Sequence, residues 1–344
     1  MVKRWKKGVI ATKAYIYHEG HSRLIRFGAD NCQELHVIID ESDRYSIPAA
    51  IRANWIEQDH PDVYVHIVPG DPATDDAAQW GWRTLYTLRA DQERMGYDIN
   101  GPDVVFSSED YGEPYAKSMG AEHVMIDRYR SIVPCSGHEI RAGIMGRFQY
   151  LARPTKAHFT NRVIIVGAES TGKTTLAQAL ADKYQTVWVP EYGEMYWRGK
   201  TITFNRSLGK TWHTEEFRHI ARMQSQMAYE LSKDAYRITI EDTDEFATEI
   251  WHDRYVGYME PSIRFSAMNR HNPKMYILTD INIPFVQNGW RDGENIRERM
   301  HDLFKTELIK RRYPYIQVHG TLQMRIDQAS EAIDAMIAQP IILK

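Results

Sequence analysis

The sequence VIIVGAESTGKTT, from Val163 to Thr175, decides the fold of the second half of this chain. Its first four residues are apolar and β-branched, which favours a buried strand. The eight residues from Gly167 to Thr174 then match the phosphate-loop pattern G-x-x-x-x-G-K-[ST] at every required position. A helix is predicted from Lys173 to Tyr184. The order of strand, loop and helix predicts that this loop binds the phosphates of a nucleotide.

The phosphate loop is expected to bind anions mainly through its backbone. Glycines let the chain curl so that successive N–H groups face one phosphate, and the start of the helix adds partial positive charge. Lys173 is expected to reach the β- and γ-phosphates of ATP, and Thr174 to place its hydroxyl on Mg²⁺. The residues expected to bind the nucleotide are Gly167, Glu169, Ser170, Thr171, Gly172, Lys173, Thr174 and Thr175.

Four residues with three acids, Glu241 to Asp244, follow a strand predicted over Arg237–Ile240. Ligands of parallel sheets bind at the carboxyl ends of the strands, so these acids are expected at the phosphate site. Asp242 is a candidate metal ligand, and either Asp242 or Asp244 is a candidate base for an acceptor hydroxyl. A helix N-cap with solvated acids is the alternative.

Two further loops follow predicted strands of this half. Glu191 and Tyr192 come after the first of these strands and are expected to face the same crevice, unless they belong to an ordinary loop. The glycine-flanked segment Pro284–Gly293 follows a strand that ends at Asp280, and it is typical of a lid. Its Arg291 is expected to stabilise charge on a transferring phosphoryl group, with a surface arginine in a turn as the alternative.

Predicted strands and helices alternate along both halves, which favours two α/β domains with mainly parallel sheets. The predicted strands are Gly8–Ile10, Leu35–Ile39, Val63–Val68, Val104–Phe106, His123–Ile126, Val163–Val166, Thr186–Val189, Ile238–Ile240, Met275–Leu278 and Ile316–Val318. Other predicted helices are His21–Asn31, Ile47–Gln58, Thr214–Lys233 and Asp327–Ala338. Periodicity is lost near Tyr150–Asn161, which contains Pro154. The boundary placed there gives a first domain over 1–152 and a second over 160–344.

Two histidines flank a glycine in the sequence HEGH, His18 to His21, after the first predicted strand. Both imidazoles and the helix amides can face one anion there, and Lys13 adds a fixed charge nearby. A metal-binding His-x-x-His pair is an alternative, although no cysteine and no third ligand support it. Two ordinary surface histidines are the remaining alternative.

The sequence SGHEIR, Ser136 to Arg141, follows the last predicted strand of the first half. A serine beside a glycine, with an arginine five residues on, is a candidate second phosphate contact. An ordinary turn explains the same residues equally well.

Composition limits the class of protein. The chain has 344 residues, of which 43% are apolar and 26% charged, so it can form two cores of about 100–200 residues each. Lys and Arg number 43 against 46 Asp and Glu, which argues against a nucleic-acid or membrane-surface binder. Two cysteines favour a reducing, cytoplasmic setting. No apolar run approaches the roughly 18 residues of a membrane span.

Together these motifs resemble known nucleotide-handling families. His18 to His21, with Ser136 to Arg141, is similar to the signature of nucleotidylyltransferases of the His-x-Gly-His superfamily, which implies a Rossmann-like sheet. A phosphate-loop domain behind such a unit resembles the NadR-type bifunctional proteins, in which nicotinamide mononucleotide adenylyltransferase is joined to ribosylnicotinamide kinase. The resemblance spans about residues 8–320. Further matches are Ser107–Gly112, Glu191–Gly193, Asp242–Asp244 and Pro284–Arg291.

The resemblance implies two reactions that use ATP and Mg²⁺. The first domain would transfer adenylate from ATP to nicotinamide mononucleotide, giving NAD and pyrophosphate, and the second would phosphorylate nicotinamide riboside. It implies that Lys13, His18, His21 and Arg141 bind phosphates in the first domain, together with Ser136 and Ser107. In the second, Glu191 would hold the ribose. The partners are small molecules, without nucleic acid or membrane, and the oligomeric state stays open, with a homo-oligomer among the options.

The chain departs from the adenylyltransferase pattern at three positions. Thr12, Ala14 and Ile16 stand where that family has Gly, Phe and Pro. Two alternatives therefore remain, a protein with kinase activity alone and an NAD-sensing regulatory module with a degenerate first domain. Because His18 comes so early, no DNA-binding helix-turn-helix is expected before it.

Overall fold

A computed structural model describes residues 3–41, 46–70, 76–95, 101–203, 211–268, 272, 274–287, 293–341 and 343. The chain forms two compact units, one of Met1–Thr155 with Pro340–Lys344 and the other of Lys156–Gln339. Each unit contains a five-stranded sheet in which every strand pairing is parallel. The predicted α/β fold with two parallel sheets is confirmed.

The first unit has the strand order β3-β2-β1-β4-β5. Its elements are β1 Trp5–Ala11, α1 Glu19–Asn31, β2 Cys32–Asp40, α2 Ala49–Asp59, β3 Tyr64–Val68, α3 Ala77–Met95, β4 Val104–Ser107, α4 Gly112–Ser118, β5 Glu122–Met125 and α5 Gly137–Ala142. A 3₁₀ turn follows over Met145–Tyr150. Strands β2 and β3 are added on one side of β1, and β4 and β5 on its other side. Such a change of side opens a crevice at the carboxyl ends of the strands.

Close packing around β1 fixes that strand in the centre of the first sheet. Val9 and Ile10 are fully buried. Gly8 has no room for a side chain, because a Cβ there would lie 2.5 Å from the Cys32 sulfur and 3.0 Å from the Phe106 ring. The middle of β1 is therefore packed directly against residues of its two neighbours, β2 and β4.

The stretch in which periodicity is lost is a helix, α6 over Arg153–Phe159. Pro154 occupies its second position, where a helix has no use for the missing N–H. No helix was predicted in this stretch, although proline breaks a helix only in its interior and is tolerated in its first turn.

The second unit has the strand order β10-β9-β6-β8-β7. Its elements are β6 Asn161–Val166, α7 Lys173–Tyr184, β7 Trp188–Val189, α8 Tyr192–Thr203, α9 Thr214–Ser232, β8 Ile238–Asp242, α10 Glu245–Val256, α11 Pro261–Phe265, β9 Lys274–Thr279, α12 Arg297–Lys310, β10 Tyr315–Val318 and α13 Leu322–Ile337. A 3₁₀ turn over Glu294–Ile296 precedes α12. All six residues of the central β6 are buried.

Helices cover both faces of the second sheet, as a buried parallel sheet requires. Val163 and Ile165 of β6 belong to one apolar cluster, which includes residues of α7 and α13. Ile164 and Val166 belong to another, which includes residues of α10 and α12. No helix in the described part of the chain is long and apolar enough to cross a bilayer.

Strand β8 runs further than predicted and takes in Glu241 and Asp242. Glu241 is fully buried and forms a two-nitrogen ion pair with Arg162, whose Nη2 lies 2.7 Å from Oε2. Although burial disfavours the charge, the Glu241 carboxylate raises the pKa of Arg162 well above its usual range. Glu241 is therefore part of the ionic interior of this unit.

Candidate functional site

The phosphate loop between β6 and α7 curls through left-handed backbone conformations. Gly167, Ser170 and Gly172 have φ angles of 146°, 59° and 76°. A side chain at Gly167 would place its Cβ 2.4 Å from the Thr279 hydroxyl, so the first glycine is required by contact as well as by conformation. Lys173 donates from Nζ to the Ala168 carbonyl at 2.9 Å. Its ammonium group therefore lies over the loop.

Thr174 and Asp242 meet at the end of the phosphate loop. The Thr174 hydroxyl donates to Oδ2 of Asp242 at 2.5 Å. Asp242 is buried, and within the described part of the chain its Oδ1 has no hydrogen-bond partner. Burial raises the pKa of Asp242, although Lys173 and the bond from Thr174 act in the opposite direction. A hydroxyl oxygen and an unpartnered carboxylate oxygen are suitable ligands for Mg²⁺.

Glu191 lies in the loop after β7, at the carboxyl end of that strand. Burial and the negative charge of Asp242 raise the pKa of Glu191 to about 7, while the positive charge of Lys173 lowers it. The carboxylate of Glu191 is therefore within electrostatic range of Asp242 and Lys173. Tyr192 begins α8, and its hydroxyl lies 3.4 Å from Nε2 of His219.

Asp244 has a different environment from Asp242. Its Oδ1 accepts from the backbone N–H groups of Phe246 and Ala247, both at 3.1 Å, and so caps α10. Its Oδ2 accepts from the Tyr276 hydroxyl at 2.7 Å. Burial and the charge of Glu245 raise the pKa of Asp244 to about 6. Since both oxygens are used inside the unit, Asp242 is the acid of this pair that remains a candidate at the phosphate loop.

The side chains within the phosphate loop bind other protein groups. Glu169 accepts from Nη1 of Arg254 at 2.9 Å and from the backbone N–H of Gly293 at 2.8 Å. The Ser170 hydroxyl accepts from the backbone N–H of Val286 at 2.7 Å. These side chains therefore connect the loop to the segment after β9, and contact with phosphate would fall to their backbone N–H groups.

Three further residues were predicted for the phosphate site, and each has a different environment or status. The Thr171 hydroxyl donates to the Ala168 carbonyl at 2.9 Å and lies 2.7 Å from the Thr279 hydroxyl. Thr175 is exposed in the first turn of α7. Arg291, the predicted lid arginine, lies outside the described residues.

The first unit contains a cleft of about 880 Å³ at the carboxyl ends of β1 and β4. Five residues predicted as a phosphate site line it, namely Lys13, His18, His21, Ser136 and Arg141. Ser107 does not line it. The Ser107 hydroxyl instead donates to the Glu109 carbonyl at 2.9 Å and lies 2.9 Å from Nε2 of His123, while Ser108 faces the cleft.

The two histidines of the cleft each use Nδ1 to accept a backbone N–H. Nδ1 of His18 accepts from Gly20 at 3.1 Å, and Nδ1 of His21 accepts from the N–H of His18 itself at 3.4 Å. The two rings lie 3.9 Å apart between centroids. Because an accepting nitrogen carries no proton, each neutral ring has its proton on Nε2. The pair therefore provides two Nε2–H donors.

Both histidines are held neutral. Burial, with the positive charges of Arg130 and Arg141, lowers the pKa of His18 to about 4. Burial, His18 and Arg130 lower the pKa of His21 well below its usual range. The fixed positive charge of this cleft therefore comes from its lysine and arginines, and the imidazoles supply directed hydrogen bonds.

Ser136 has a structural role at the start of α5. Its hydroxyl accepts from the N–H of Glu139 at 3.2 Å, while the Glu139 carboxylate accepts from the N–H of Ser136 at 3.1 Å. This reciprocal pair is a capping box. Arg141 follows on the same short helix, 5.8 Å from the centre of the Tyr15 ring.

Two arginines of the first unit were missed in the sequence. Arg52 is fully buried and donates to the carbonyls of Lys13, Ile47 and Asp40. The signal was an arginine on the apolar face of a predicted helix. Arg130 lines the cleft in a left-handed conformation and lowers the pKa of both histidines, but a half-buried loop residue gives no signal in one sequence.

No group of three or more His, Cys, Asp or Glu side chains is arranged to hold a metal ion within the described ranges. The His-x-x-His metal alternative therefore has no third ligand there. Thr174 and Asp242 are a different kind of candidate, since phosphate oxygens and water complete the coordination of Mg²⁺ in phosphate-loop proteins.

Comparison with known proteins relates both sequence and fold to one group. A sequence model of a family described as an AAA domain matches residues 162–325. The chain is 26% identical to the trifunctional NAD biosynthesis/regulator protein NadR of Escherichia coli (strain K12), over 90% of this chain and 78% of that protein. The protein of the same name from Salmonella typhimurium (strain LT2) is 25% identical, over 88% and 76% of the two chains.

Two crystal structures of NadR have the same fold as this chain. One is in complex with NR, with a TM-score of 0.68, and the other is in complex with NAD and AMP-PNP, with a TM-score of 0.66. Each aligns with 99% of this chain and 98% of its own, at 17% sequence identity. The chain is thus similar to NadR along nearly its whole length.

Proposed function

We propose that this protein is an NAD salvage enzyme with two activities. The first unit, with the boundaries predicted as 1–152, transfers adenylate from ATP to nicotinamide mononucleotide and releases pyrophosphate. The second, predicted as 160–344, phosphorylates the 5′-hydroxyl of nicotinamide riboside with ATP. The similarity to NadR supports both assignments, because NadR structures hold NR in one case and NAD with AMP-PNP in the other.

One observation carries the proposal. Each unit has candidate phosphate-binding side chains in the loop that leaves the central strand of its own parallel sheet. In the first it is the histidine pair after β1, and in the second it is the lysine-bearing loop after β6. Two such arrangements in one chain fit an enzyme that uses ATP at two separate places.

In the proposed kinase reaction the second unit aligns two substrates and stabilises charge. Lys173 contacts the β- and γ-phosphates, and backbone N–H groups from Gly167 to Thr174 bind the rest of the triphosphate tail. Glu191, within electrostatic range of Lys173, binds the ribose of the acceptor. Asp242 accepts the proton of the attacking hydroxyl or holds the water that does so.

Thr174 and Asp242 would hold Mg²⁺, because their oxygens already face each other and Oδ1 of Asp242 has no other partner among the described residues. When bound, Mg²⁺ neutralises charge on the phosphates. Lys173 and Thr174 orient the phosphate tail in the same place.

In the proposed adenylyl transfer the acceptor phosphate attacks the α-phosphate of ATP, so no enzyme nucleophile is required. The Nε2–H groups of His18 and His21 donate to phosphate oxygens, where negative charge increases in the transition state. Lys13 and Arg141 neutralise the triphosphate. Because the two histidines are neutral donors, their contribution depends on direction and distance rather than on charge.

One assay tests the proposal directly. Purified protein is incubated with Mg-ATP and nicotinamide riboside, and the products are separated by chromatography. Successive formation of nicotinamide mononucleotide and NAD, with ADP and pyrophosphate, is expected. Accumulation of the mononucleotide without NAD would favour the kinase-only alternative. Tight NAD binding without release of ADP would favour the regulatory module and contradict both proposed activities.

A further inference from the structure

One buried amide connects the two acidic loops of the phosphate site. Gln224 lies on α9, and only 1% of its surface is exposed. Its Oε1 accepts from the N–H of Tyr192 at 2.7 Å. Its Nε2 donates to the carbonyl of Pro190 at 3.3 Å and, at the long distance of 3.5 Å, to that of Thr243. The same side chain thus binds the loop after β7 and the loop after β8.

Gln224 is buried among largely apolar neighbours on α9. The residues that α9 buries are Phe217, Ile220, Ala221, Gln224, Ser225, Ala228 and Ser232. A glutamine in such a largely apolar stripe is costly unless its amide group is hydrogen-bonded. All its contacts go to the backbone on either side of Glu191 and next to Asp242, so the amide is used to fix the shape of those loops.

The position of Glu191 depends on that backbone. Within the described part of the chain no hydrogen bond holds its carboxylate, and its neighbours Pro190 and Tyr192 are the two residues bound by Gln224. Thr243, beside Asp242, has a left-handed φ of 76°, a conformation that a threonine adopts only under restraint. Gln224 bonds to its carbonyl.

We propose that Gln224 is a positioning residue of the acceptor side, which holds Glu191 at a fixed place in the loop after β7. This inference rests on the proposed kinase function. Gln224 acts through the two loops and touches neither ATP nor the acceptor. Its loss therefore affects the binding of the acceptor and leaves the binding of ATP unchanged.

The kinetic test uses the full chain with a matched control. Gln224→Met keeps the length of the side chain and removes its three hydrogen bonds, whereas Gln226→Met changes an exposed glutamine of the same helix. For Gln224→Met we expect the KM of nicotinamide riboside to rise about tenfold and kcat to fall about tenfold, with the KM of ATP within twofold of wild type. Gln226→Met should match wild type.

A merely structural role predicts a different result. Partial unfolding lowers the amount of active enzyme and leaves both KM values unchanged, and that outcome would overturn the proposal. Gln224→Glu keeps an acceptor for the Tyr192 N–H, but its ionised carboxylate faces the Pro190 and Thr243 carbonyls without a proton to donate, so a rise in the KM of the acceptor at least as large as in Gln224→Met is expected. If Gln224→Met does not fold, Gln224→Glu decides by the same criterion.

Hydrogen–deuterium exchange tests the connection without any substrate. In Gln224→Met, peptides that contain Tyr192 and Thr243 should exchange faster than in wild type, while peptides from the phosphate loop should exchange at the wild-type rate. In Gln226→Met, all of these peptides should exchange at the wild-type rate. Unchanged exchange at Tyr192 and Thr243 would contradict the proposal. If the wild-type protein phosphorylates no nicotinamide riboside, the proposed function fails, and the exchange result still decides whether Gln224 fixes the loops.

Discussion

At the scale of single residues, three acidic side chains of one short segment have three different roles. Glu241 pairs with Arg162 in the interior, Asp242 faces the phosphate loop, and Asp244 caps a helix. The sequence predicted an acidic group at this place because it follows a strand. It could not assign the roles, since these depend on where β8 ends and which oxygen meets which donor.

The depressed pKa of His18 predicts a dependence of stability on pH. The unfolded chain binds a proton below about pH 6.5, whereas folded His18 binds one only near pH 4. The contribution of neutral His18 to the stability of the fold is therefore fully present above the pKa of the unfolded chain, and it is lost as the pH falls from 6.5 towards 4. Between pH 7.5 and 5.0 this group should lower the free energy of unfolding by on the order of 2 kcal/mol.

Urea unfolding at both pH values tests this dependence. His18→Asn should lose less stability on acidification than wild type, by about the amount given above. His138→Asn, which changes an exposed histidine of the same unit, is measured beside it as the control for the substitution itself. Equal losses in wild type and His18→Asn would contradict the neutral, buried state of His18.

At the scale of elements, strands were predictable and several helices were not. A strand buried on both faces, such as β6, is a short apolar run that stands out in any sequence. Helices α3, α8, α10 and α12 mix apolar, aromatic and charged residues, and their burial depends on tertiary neighbours. The helix at Arg153–Phe159 was missed because its proline lies in the first turn.

The cap of α10 separates the two candidate bases. Asp244→Asn should lower the free energy of unfolding by about 1–2 kcal/mol, because a buried carboxylate with three donors is replaced by an amide that accepts fewer bonds. Its kinase kcat should stay within about threefold of wild type. Asp242→Asn should keep its stability and lose at least about a hundredfold in kcat.

Thermal unfolding and steady-state kinetics on the two variants distinguish these roles. The assignment would be wrong if Asp244→Asn lost activity as severely as Asp242→Asn while retaining its melting temperature. Both variants replace an aspartate with asparagine in the same segment, so each variant serves as the matched control of the other.

At the scale of the whole molecule, each of the two units has its own parallel sheet and its own core. The order of motifs along the chain was enough to predict this duplication. The side chains that shape each candidate site could not be predicted from the motifs, because the positions of Arg130, Arg52 and Gln224 depend on contacts between residues distant in sequence.

Independent sites predict independent losses of activity. Lys173→Ala should reduce nicotinamide riboside phosphorylation by about a thousandfold, since the ammonium that contacts the phosphates is gone, and should spare adenylyl transfer. His18→Ala should do the reverse, with a loss of about a hundredfold in NAD formation from the mononucleotide. Each reaction is measured separately with its own acceptor and Mg-ATP.

Lys183→Ala, at the far end of α7 from the phosphate loop, is the control for Lys173→Ala and should keep both activities. Loss of both reactions in either active-site variant would mean that the units do not act independently. An unchanged rate of NAD formation in His18→Ala would remove the histidine pair from the proposed site.

The hydrogen bonds that fix Nδ1 of His18 and His21 have a consequence for turnover. Each ring already holds its only exchangeable proton at the nitrogen that is left to donate. In the proposed adenylyl transfer, the first unit would therefore be ready for another round as soon as product departs, without waiting for solvent to return a proton to an imidazole. In a weakly buffered compartment near neutrality, its working state would be insensitive to small drifts in acidity.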